Sequence, residues 1–209
     1  MKESGYKIVR FFVKHIFCFL YRPEIVGVEN IPKNGSLVIA GNHTKWLDPI
    51  LLISAVNRPL HFLAKQELFH GITKIVVKIM GCIPVNRGVN GKAALEEAER
   101  QLMDGFVIGI FPEGTINRTG NTIMPFKIGA VKMSYDTDSL LVPFIITGEY
   151  RIFKGKIRVE FLKPRKIGSN LDKENKRLMN YVSSKLEGIN ECNKQIETNE
   201  NKDSMEEII

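Results

Sequence analysis

A histidine and an aspartate five positions apart are the residues of this sequence best suited to chemistry. His43 and Asp48 lie directly after the apolar run Leu37–Gly41. A carboxylate bonded to one imidazole nitrogen fixes the ring tautomer and leaves the other nitrogen free to accept a proton. With His43 as general base, the pair can activate a hydroxyl nucleophile, an effect of about 10²–10⁴ in rate. The spacing alone equally suits a loop histidine beside an aspartate that only caps a helix.

Two further segments carry side chains suited to binding an anion. Glu113, Gly114 and Thr115 follow an apolar run, and a glycine there lets backbone N–H groups approach a ligand closely. Arg87 follows another short apolar run, and its guanidinium offers a fork of donors that suits a phosphate. An ordinary turn and a solvated surface arginine would give the same patterns, so both interpretations stay open for each segment.

The elements that must position these residues are those of an α/β fold. Apolar runs predict buried strands at Leu37–Gly41 and at residues 81–85, 106–111 and 140–146, and alternation predicts another at 156–162. Helical patterns cover residues 49–56, where Asp48 is the expected N-cap, and 92–104, which ends at Gly105. This order predicts a mixed, largely parallel sheet flanked by helices, with the candidate residues at the carboxyl edge of its strands.

The two ends of the chain differ in composition from the folded domain predicted between them. Residues 1–23 are predicted to form an amphipathic interfacial helix, and residues 24–187 the folded domain. A capping-box pattern at residues 169–172 predicts a last helix that ends at about Lys185. Residues 188–209 are polar and acidic, a composition typical of a disordered tail.

The membrane prediction depends on two stretches of mixed apolar and basic residues. In residues 5–21, Lys7, Arg10 and Lys14 form one basic stripe on an otherwise apolar helix that is too short and too charged to span a bilayer. Residues 72–80 place Lys74 and Lys78 one helical turn apart and predict a second membrane-facing element. For both stretches the alternative is a helix packed on the core of the protein.

The charge balance indicates anionic partners. The formal net charge is +7, and residues 187–209 hold seven acidic and two basic residues, which leaves +12 on residues 1–186. A basic body suits phospholipid headgroups, phosphorylated substrates or nucleic acid. No zinc-finger, RNA-recognition or helix-turn-helix signature is present, so no nucleic-acid partner is expected. The three cysteines form no CxxC pair, and no metal site is predicted.

Four ordered blocks resemble the glycerolipid acyltransferase family, the lysophosphatidic acid acyltransferases. The family pattern NHxxxxD is matched by Asn42, His43 and Asp48, the strand G-x-I-x-V-x-R by residues 81–87, FPEGT by residues 111–115, and a Val-Pro-apolar strand by residues 142–144. Secondary matches lie at residues 64–68 and 126–130, and the resemblance covers about residues 24–165. The family commonly continues FPEGT with Ser and Arg, whereas Ile116 and Asn117 precede Arg118 here.

The resemblance implies a glycerol-3-phosphate acyltransferase-like fold and an acyl transfer with no acyl-enzyme. His43, oriented by Asp48, would deprotonate the free hydroxyl of 1-acyl-glycerol 3-phosphate, which attacks the thioester of acyl-carrier protein or acyl-CoA and gives phosphatidic acid. Arg87, the turn of Glu113, Gly114 and Thr115, and Lys65 would hold the phosphate. No cofactor is expected, since the donor is a substrate, and the expected location is peripheral or monotopic on the cytoplasmic face of the cell membrane.

Three alternatives stay open on the sequence alone. The same chemistry could act on glycerol 3-phosphate or another lysophospholipid. Water could replace the lipid hydroxyl, which would make the protein a hydrolase. A protein of a different class, a non-catalytic basic module that binds membranes, would share the charge but not need the histidine and aspartate.

Overall fold

The strands of the computed structural model form one sheet, with helices between them. The structure describes residues 3–71, 73–85 and 91–206. Its strands there are β1 (Glu24–Val26), β2 (Leu37–Gly41), β3 (Leu60–Lys65), β4 (Ile83–Val85), β5 (Val107–Ile110), β6 (Leu140–Thr147) and β7 (Arg158–Phe161). Its α-helices there are α1 (Glu3–Tyr21), α2 (Asp48–Ala55), α3 (Thr73–Ile79), α4 (Gly91–Met103), α5 (Gly129–Asp136) and α6 (Leu171–Glu206).

The sheet is mixed and largely parallel, as the sequence predicted. Its strand order is β1-β7-β6-β2-β5-β3-β4. Every neighbouring pair is parallel except β6 and β7, which are antiparallel. The central strand β2 pairs with β5 on one side and β6 on the other, so the segments after these three strands emerge close together at one edge.

Each face of the sheet has its own core, because successive residues of a strand point to opposite faces. In β2, Leu37 and Ile39 contribute to a core that includes residues of α1 and α2. Val38 and Ala40 contribute to a second core with residues of α4, α5 and α6. Covering on both faces explains why β2 is a continuous apolar run without alternation.

Helix α1 has an inner face packed on the protein and an outer face that is apolar and exposed. Tyr6 and Phe17 are buried in the core that α1 shares with α2. The outer face presents five large exposed side chains, which we call the apolar face of α1: Ile8, Phe11, Phe12, Ile16 and Phe19. The segment therefore docks on the core and still presents an apolar surface to its surroundings.

Arg10 does not belong to an outward basic stripe, and that part of the prediction is wrong. Its guanidinium donates to the carbonyl oxygens of Ile53 (3.1 Å) and Val56 (2.7 Å) and to the side chain of Asn57 (3.0 Å). The last carbonyl groups of a helix have no intrahelical partner and carry partial negative charge. The end of α2 therefore draws Arg10 inward and ties α1 to α2.

The second predicted membrane element is an exposed helix over most of its length. No residue of α3 is buried, and Ile75 is 62% exposed. Residue 72 of the predicted stretch lies outside the described residues. Residues 73–79 are therefore not a core helix, whereas Met80, at the end of the predicted stretch, is buried in the core.

The last helix differs from its prediction at both ends. Asn170, not Ser169, caps α6, since its side-chain oxygen accepts from the N–H of Lys173 (3.0 Å). The helix continues to Glu206, beyond the expected end at Lys185, because no proline interrupts this stretch and Gly188 alone does not break it. The domain boundaries at residues 23 and 187 stay a prediction.

No helix within the described ranges combines the length and the hydropathy needed to cross a bilayer.

Candidate active site

Asn42 fixes the direction in which the chain leaves the sheet. Its side-chain Nδ2 donates to the carbonyl oxygen of Ile146 (2.9 Å), and its Oδ1 accepts from the N–H of the same residue (2.8 Å). The buried amide thus extends the pairing of β2 with β6 by one step beyond Gly41. His43 follows at the carboxyl edge of the sheet with its backbone held in place.

His43 and Asp48 are hydrogen-bonded, with Nδ1 and Oδ2 2.8 Å apart. The Asp48 side chain is fully buried, whereas 15% of the His43 side chain is exposed. An ionised carboxylate only accepts hydrogen bonds, so Nδ1 carries the proton of this bond and Nε2 holds the lone pair. The arrangement has the geometry of a general base oriented by an acid.

Asp48 does not cap α2, and that prediction is wrong. It is the first residue of the helix, Leu47 occupies the cap position, and no side chain there makes a capping bond. The carboxylate turns back to the preceding loop, where Oδ2 accepts from the N–H groups of Thr44 (2.6 Å) and Lys45 (2.9 Å). The Thr44 hydroxyl donates to Oδ1 (3.0 Å). The loop is therefore wrapped around the carboxylate, which holds His43 against it.

Phe111 supports the imidazole from its face. The two rings are stacked, with centroids 4.1 Å apart and an interplanar angle of 19°. Phe111 itself lies between Phe62 and Phe144, in a row of aromatic rings along the edge of the sheet. The ring plane of His43 is consequently fixed both by a hydrogen bond and by packing.

Glu113 ties two loops together. The side chain is 3% exposed, and its oxygens accept from the N–H groups of His43 (2.7 Å) and Met124 (2.8 Å). Burial raises the pKa of Glu113, and the two amide hydrogen bonds oppose that shift. Each oxygen of Glu113 thus holds one backbone N–H group, and one of these belongs to His43. The contact of Glu113 with a phosphate stays a prediction.

The residues around Glu113 form the turn expected of this segment. The N–H of Gly114 donates to the carbonyl of Phe111 (2.9 Å), and Gly114 has a φ of 71°, which glycine adopts at little cost. Thr115 and Arg118 are exposed beyond the turn. The N–H of Asn117 donates to the carbonyl of His43 (2.9 Å), so this loop runs along the histidine.

The predicted phosphate ligands from β3 and β4 lie at the same edge of the sheet. Lys65 is exposed at the end of β3 and pairs in register with Val85, the last residue of β4. Arg87 lies two positions further on, outside the described residues, and its role stays a prediction.

Lys127 is a cation next to this turn, and no role was predicted for it from the sequence. A Cβ placed on Gly114 would lie 2.7 Å from the Lys127 Nζ, so the lysine extends over the glycine. Within the described ranges no carboxylate lies at ion-pair distance from Lys127. The secondary family match at residues 126–130 is the sequence signal that could have predicted a role for Lys127. This match comes directly after the loop that Glu113 holds.

Tyr150 is the other residue that sequence reasoning missed. Its hydroxyl donates to Asp48 Oδ1 at 2.6 Å. Burial and the neighbouring Asp48 carboxylate raise the pKa of Tyr150, so the hydroxyl remains a proton donor. A cleft of about 510 Å³ lies between Tyr150, Tyr21 and Trp46, and neither His43 nor Asp48 lines it.

Fold and site together define an α/β protein that presents a carboxylate-oriented histidine at the carboxyl edge of a largely parallel sheet. The family model described as Acyltransferase matches residues 22–147, which include His43, Asp48 and the turn at Gly114. The chain belongs to this acyltransferase family.

Curated relatives carry a more specific name. The chain is 39% identical over 132 residues to the 1-acyl-sn-glycerol-3-phosphate acyltransferase of Borreliella burgdorferi, which covers 62% of this chain and 52% of that protein. It is 32% identical over 148 residues to the protein of the same name from Bacillus subtilis, which covers 68% of this chain and 72% of that one. The chain thus spans about half the length of the Borreliella burgdorferi protein.

A solved structure shares the fold. The crystal structure of the 1-acyl-sn-glycerophosphate (LPA) acyltransferase, PlsC, from Thermotoga maritima superposes with a TM-score of 0.74. The match covers 91% of this chain and 84% of that chain at 23% sequence identity. The predicted α/β fold class and family resemblance are confirmed.

Proposed function

We propose that this protein is a 1-acylglycerol-3-phosphate O-acyltransferase, which moves a fatty acyl group to the sn-2 hydroxyl of 1-acyl-glycerol 3-phosphate and forms phosphatidic acid. The observation that carries the proposal is the bond between His43 and Asp48 within an acyltransferase-family fold. The names of the relatives support the choice of acceptor. The acyl donor is a thioester, either of acyl-carrier protein or of coenzyme A.

In the proposed reaction, His43 Nε2 removes the proton of the acceptor hydroxyl as its oxygen bonds to the thioester carbonyl carbon. The resulting tetrahedral oxyanion collapses and breaks the carbon–sulfur bond, and the imidazolium returns its proton to the leaving thiolate. Asp48 stabilises the imidazolium between these two steps. Because the thioester is already activated, the proposal needs neither a cofactor nor a metal ion.

Direct transfer without an acyl-enzyme fits the state of the thiol that lies in a motif block. Cys82 lies within the motif block of residues 81–87, and burial raises the pKa of its thiol to about 11. A thiol in that state is protonated at neutral pH and is a poor nucleophile. The lipid hydroxyl is therefore proposed as the attacking group.

The phosphate of the acceptor is proposed to bind between the turn at Gly114 and the ends of β3 and β4. Arg87, Lys65 and Lys127 would supply positive charge, and Gly114 with Thr115 would supply backbone and hydroxyl contacts. Support comes from the exposed position of Lys65 at the sheet edge and from the placement of Lys127 over Gly114. Glu113 is left out of this set because its oxygens are already in use.

The protein is proposed to work at an anionic membrane surface, as a peripheral or monotopic protein on the cytoplasmic face. The apolar face of α1 supports this, since large exposed apolar patches on proteins mark interaction sites. Phe19 of that face contacts the exposed ring of Phe153, which extends the patch beyond the helix. The net charge of +7 favours anionic lipid.

An acceptor panel with purified protein and one acyl thioester tests the function. We expect phosphatidic acid from 1-acyl-glycerol 3-phosphate, no turnover by His43→Ala, and normal turnover by His70→Ala, which removes an exposed imidazole. A preference for glycerol 3-phosphate or another lysophospholipid would show that the proposed acceptor is wrong. Thioester loss without any acceptor would indicate a hydrolase, and normal turnover by His43→Ala would contradict the mechanism.

A further inference from the structure

Tyr150 reaches the buried carboxylate of the site from a distant part of the chain. It follows β6, 102 residues after Asp48, and its hydroxyl lies 2.6 Å from Asp48 Oδ1. None of the four motif blocks that carry the family resemblance includes residue 150. The contact therefore adds a partner to the His43–Asp48 pair that the motifs do not predict.

The two oxygens of Asp48 have different partners. Oδ2 accepts from the ring of His43 and from the backbone N–H groups of Thr44 and Lys45. Oδ1 accepts from two hydroxyl groups, those of Thr44 and Tyr150. Thr44 lies on the same loop as His43 and moves with it, so Tyr150 is the partner that ties the plane of the carboxylate to another part of the fold.

The ring of Tyr150 is held by aromatic residues of α1. Its centroid is 6.2 Å from that of Phe17 and 5.8 Å from that of Tyr21, both in edge-on arrangements. Phe17 is buried in the core and Tyr21 is partly buried against it, so both rings that contact Tyr150 are packed on the protein. Edge-on aromatic pairs favour one relative orientation of the rings, which directs the hydroxyl toward Asp48.

We propose that Tyr150 is a positioning residue of the acyl-transfer site, which fixes the Asp48 carboxylate so that Oδ2 faces His43. The inference rests on the proposed function for its kinetic consequences. Donation from Tyr150 also withdraws charge from the carboxylate and so tempers its attraction for the imidazolium. Loss of the hydroxyl should therefore alter both the geometry of the pair and its response to pH.

The test is Tyr150→Phe, which keeps the ring and removes the hydroxyl, beside Tyr135→Phe, which removes a hydroxyl from an exposed ring on α5. For Tyr150→Phe we expect kcat to fall about tenfold, since a hydrogen bond to a charged group is lost. The KM for the acceptor should stay the same, and the acid limb of the kcat/KM profile should move to higher pH. Tyr135→Phe should match the wild type in kcat, in KM and in the acid limb of the pH profile.

A second measurement separates this inference from the proposed function. The proton on His43 Nδ1 gives a downfield resonance in NMR spectra, assigned by its loss in His43→Ala, and Tyr150→Phe should shift it further downfield while Tyr135→Phe leaves it unchanged. If the wild type turns over no acceptor, the proposed function fails and the resonance still decides on Tyr150. If the wild type is active and Tyr150→Phe matches it in rate, pH profile and resonance, the positioning role is wrong and the function stands.

Discussion

At the scale of single residues, the site depends on carboxylates whose oxygens are all engaged within the protein. Asp48 and Glu113 are both buried, and on the loop that carries His43 Asp48 accepts two backbone N–H groups and Glu113 accepts one. A buried charge with several donors is costly to disturb, because removing one donor or acceptor leaves its partner without a bond. The same residues that set the chemistry therefore also set the shape of the loop.

Replacing Glu113 tests its assignment as a tie between loops. In Glu113→Gln an NH₂ group would face one of the two backbone N–H groups, and we expect the free energy of unfolding to fall by about 2 kcal/mol. Urea denaturation measures this, with the exposed Glu149→Gln as control. Activity should fall through kcat. If stability is unchanged and the KM for the phosphorylated acceptor is raised, Glu113 binds the acceptor and does not tie the loops together.

A second residue-scale prediction concerns the buried imidazole of His61. Its Nδ1 bonds to the side-chain oxygen of Gln101 (2.7 Å), and its Nε2 has no partner among the described residues. Burial lowers the pKa of His61, so the folded state binds a proton less readily than the unfolded state does. Stability from the neutral ring is present above the ordinary pKa of about 6.5 and is lost as the pH falls below it.

Urea denaturation at several pH values checks this. The unfolding free energy of the wild type should fall below pH 6.5, by no more than about 1.4 kcal/mol per pH unit for one proton. His61→Leu should show a shallower fall, whereas His70→Gln, at an exposed position, should follow the wild type. Parallel curves for all three proteins would mean that His61 does not contribute to the acid sensitivity.

At the scale of elements, the close pairing of β2 with β6 is what brings the residues of the site together. Gly41 lies at the end of β2, where a Cβ would collide with the backbone oxygen of Phe144 and lie 2.6 Å from its ring. The strand can approach β6 this closely only because residue 41 lacks a side chain. The next residue, Asn42, then completes the bridge to Ile146.

Gly41→Ala should consequently lower the unfolding free energy by about 3 kcal/mol, the upper part of the range for overpacking a core. Gly188→Ala is the matched control: nothing lies within 4 Å of its added Cβ, and alanine within a helix should raise stability by about 0.5–1 kcal/mol. Denaturation in urea compares the two. Equal stability of Gly41→Ala and the wild type would contradict the tight approach of β2 to β6.

At the scale of the whole molecule, the two faces of the sheet carry different surfaces. The face covered by α1 and α2 presents the apolar face of α1, whereas the α4, α5 and α6 side presents isolated exposed apolar residues such as Met103 and Tyr135. Because α1 also packs on the core, a membrane that bound its outer face would hold the domain in one orientation. The site would then lie at a fixed height above the lipid.

Vesicle pelleting compares the two faces. Phe11→Ser combined with Phe12→Ser should weaken binding to anionic vesicles at least about tenfold, since each ring contributes about 1.5–3 kcal/mol when fully buried. Met103→Ser combined with Tyr135→Ser removes exposed apolar area from the other face and should bind like the wild type. Thermal unfolding should be similar for all three proteins. Equal pelleting of the α1 variant and the wild type would exclude this face as the lipid contact.

Structural features were predicted from the sequence where their signals lie in a short stretch of the chain. The bounds of β2 and the pairing of His43 with Asp48 were predicted because an apolar run and a five-residue spacing are local signals. The three-residue strand β1 was not predicted, since it is defined by its pairing with β7. Strand β3 and helix α5 were likewise absent from the prediction.

Roles that depend on distant contacts were the ones missed. No local pattern shows that Tyr150 donates to Asp48, and the inward turn of Arg10 depends on where α2 ends. The family resemblance implies a phosphate contact for Glu113, whereas the burial of its side chain appears only in the folded structure. Arg87 lies outside the described residues, so its assignment stays a prediction.

The hydrogen bonds that assemble the site also constrain the order in which the protein can fold. They join residues 70 positions apart at His43 and Glu113, 104 at Asn42 and Ile146, and 102 at Asp48 and Tyr150. Contacts between residues so distant in sequence close large loops and form slowly. Catalytic competence should therefore be among the last properties regained on refolding, after the helices have formed. A nascent chain shorter than about 150 residues would lack the tyrosine hydroxyl that ties its aspartate to the rest of the fold.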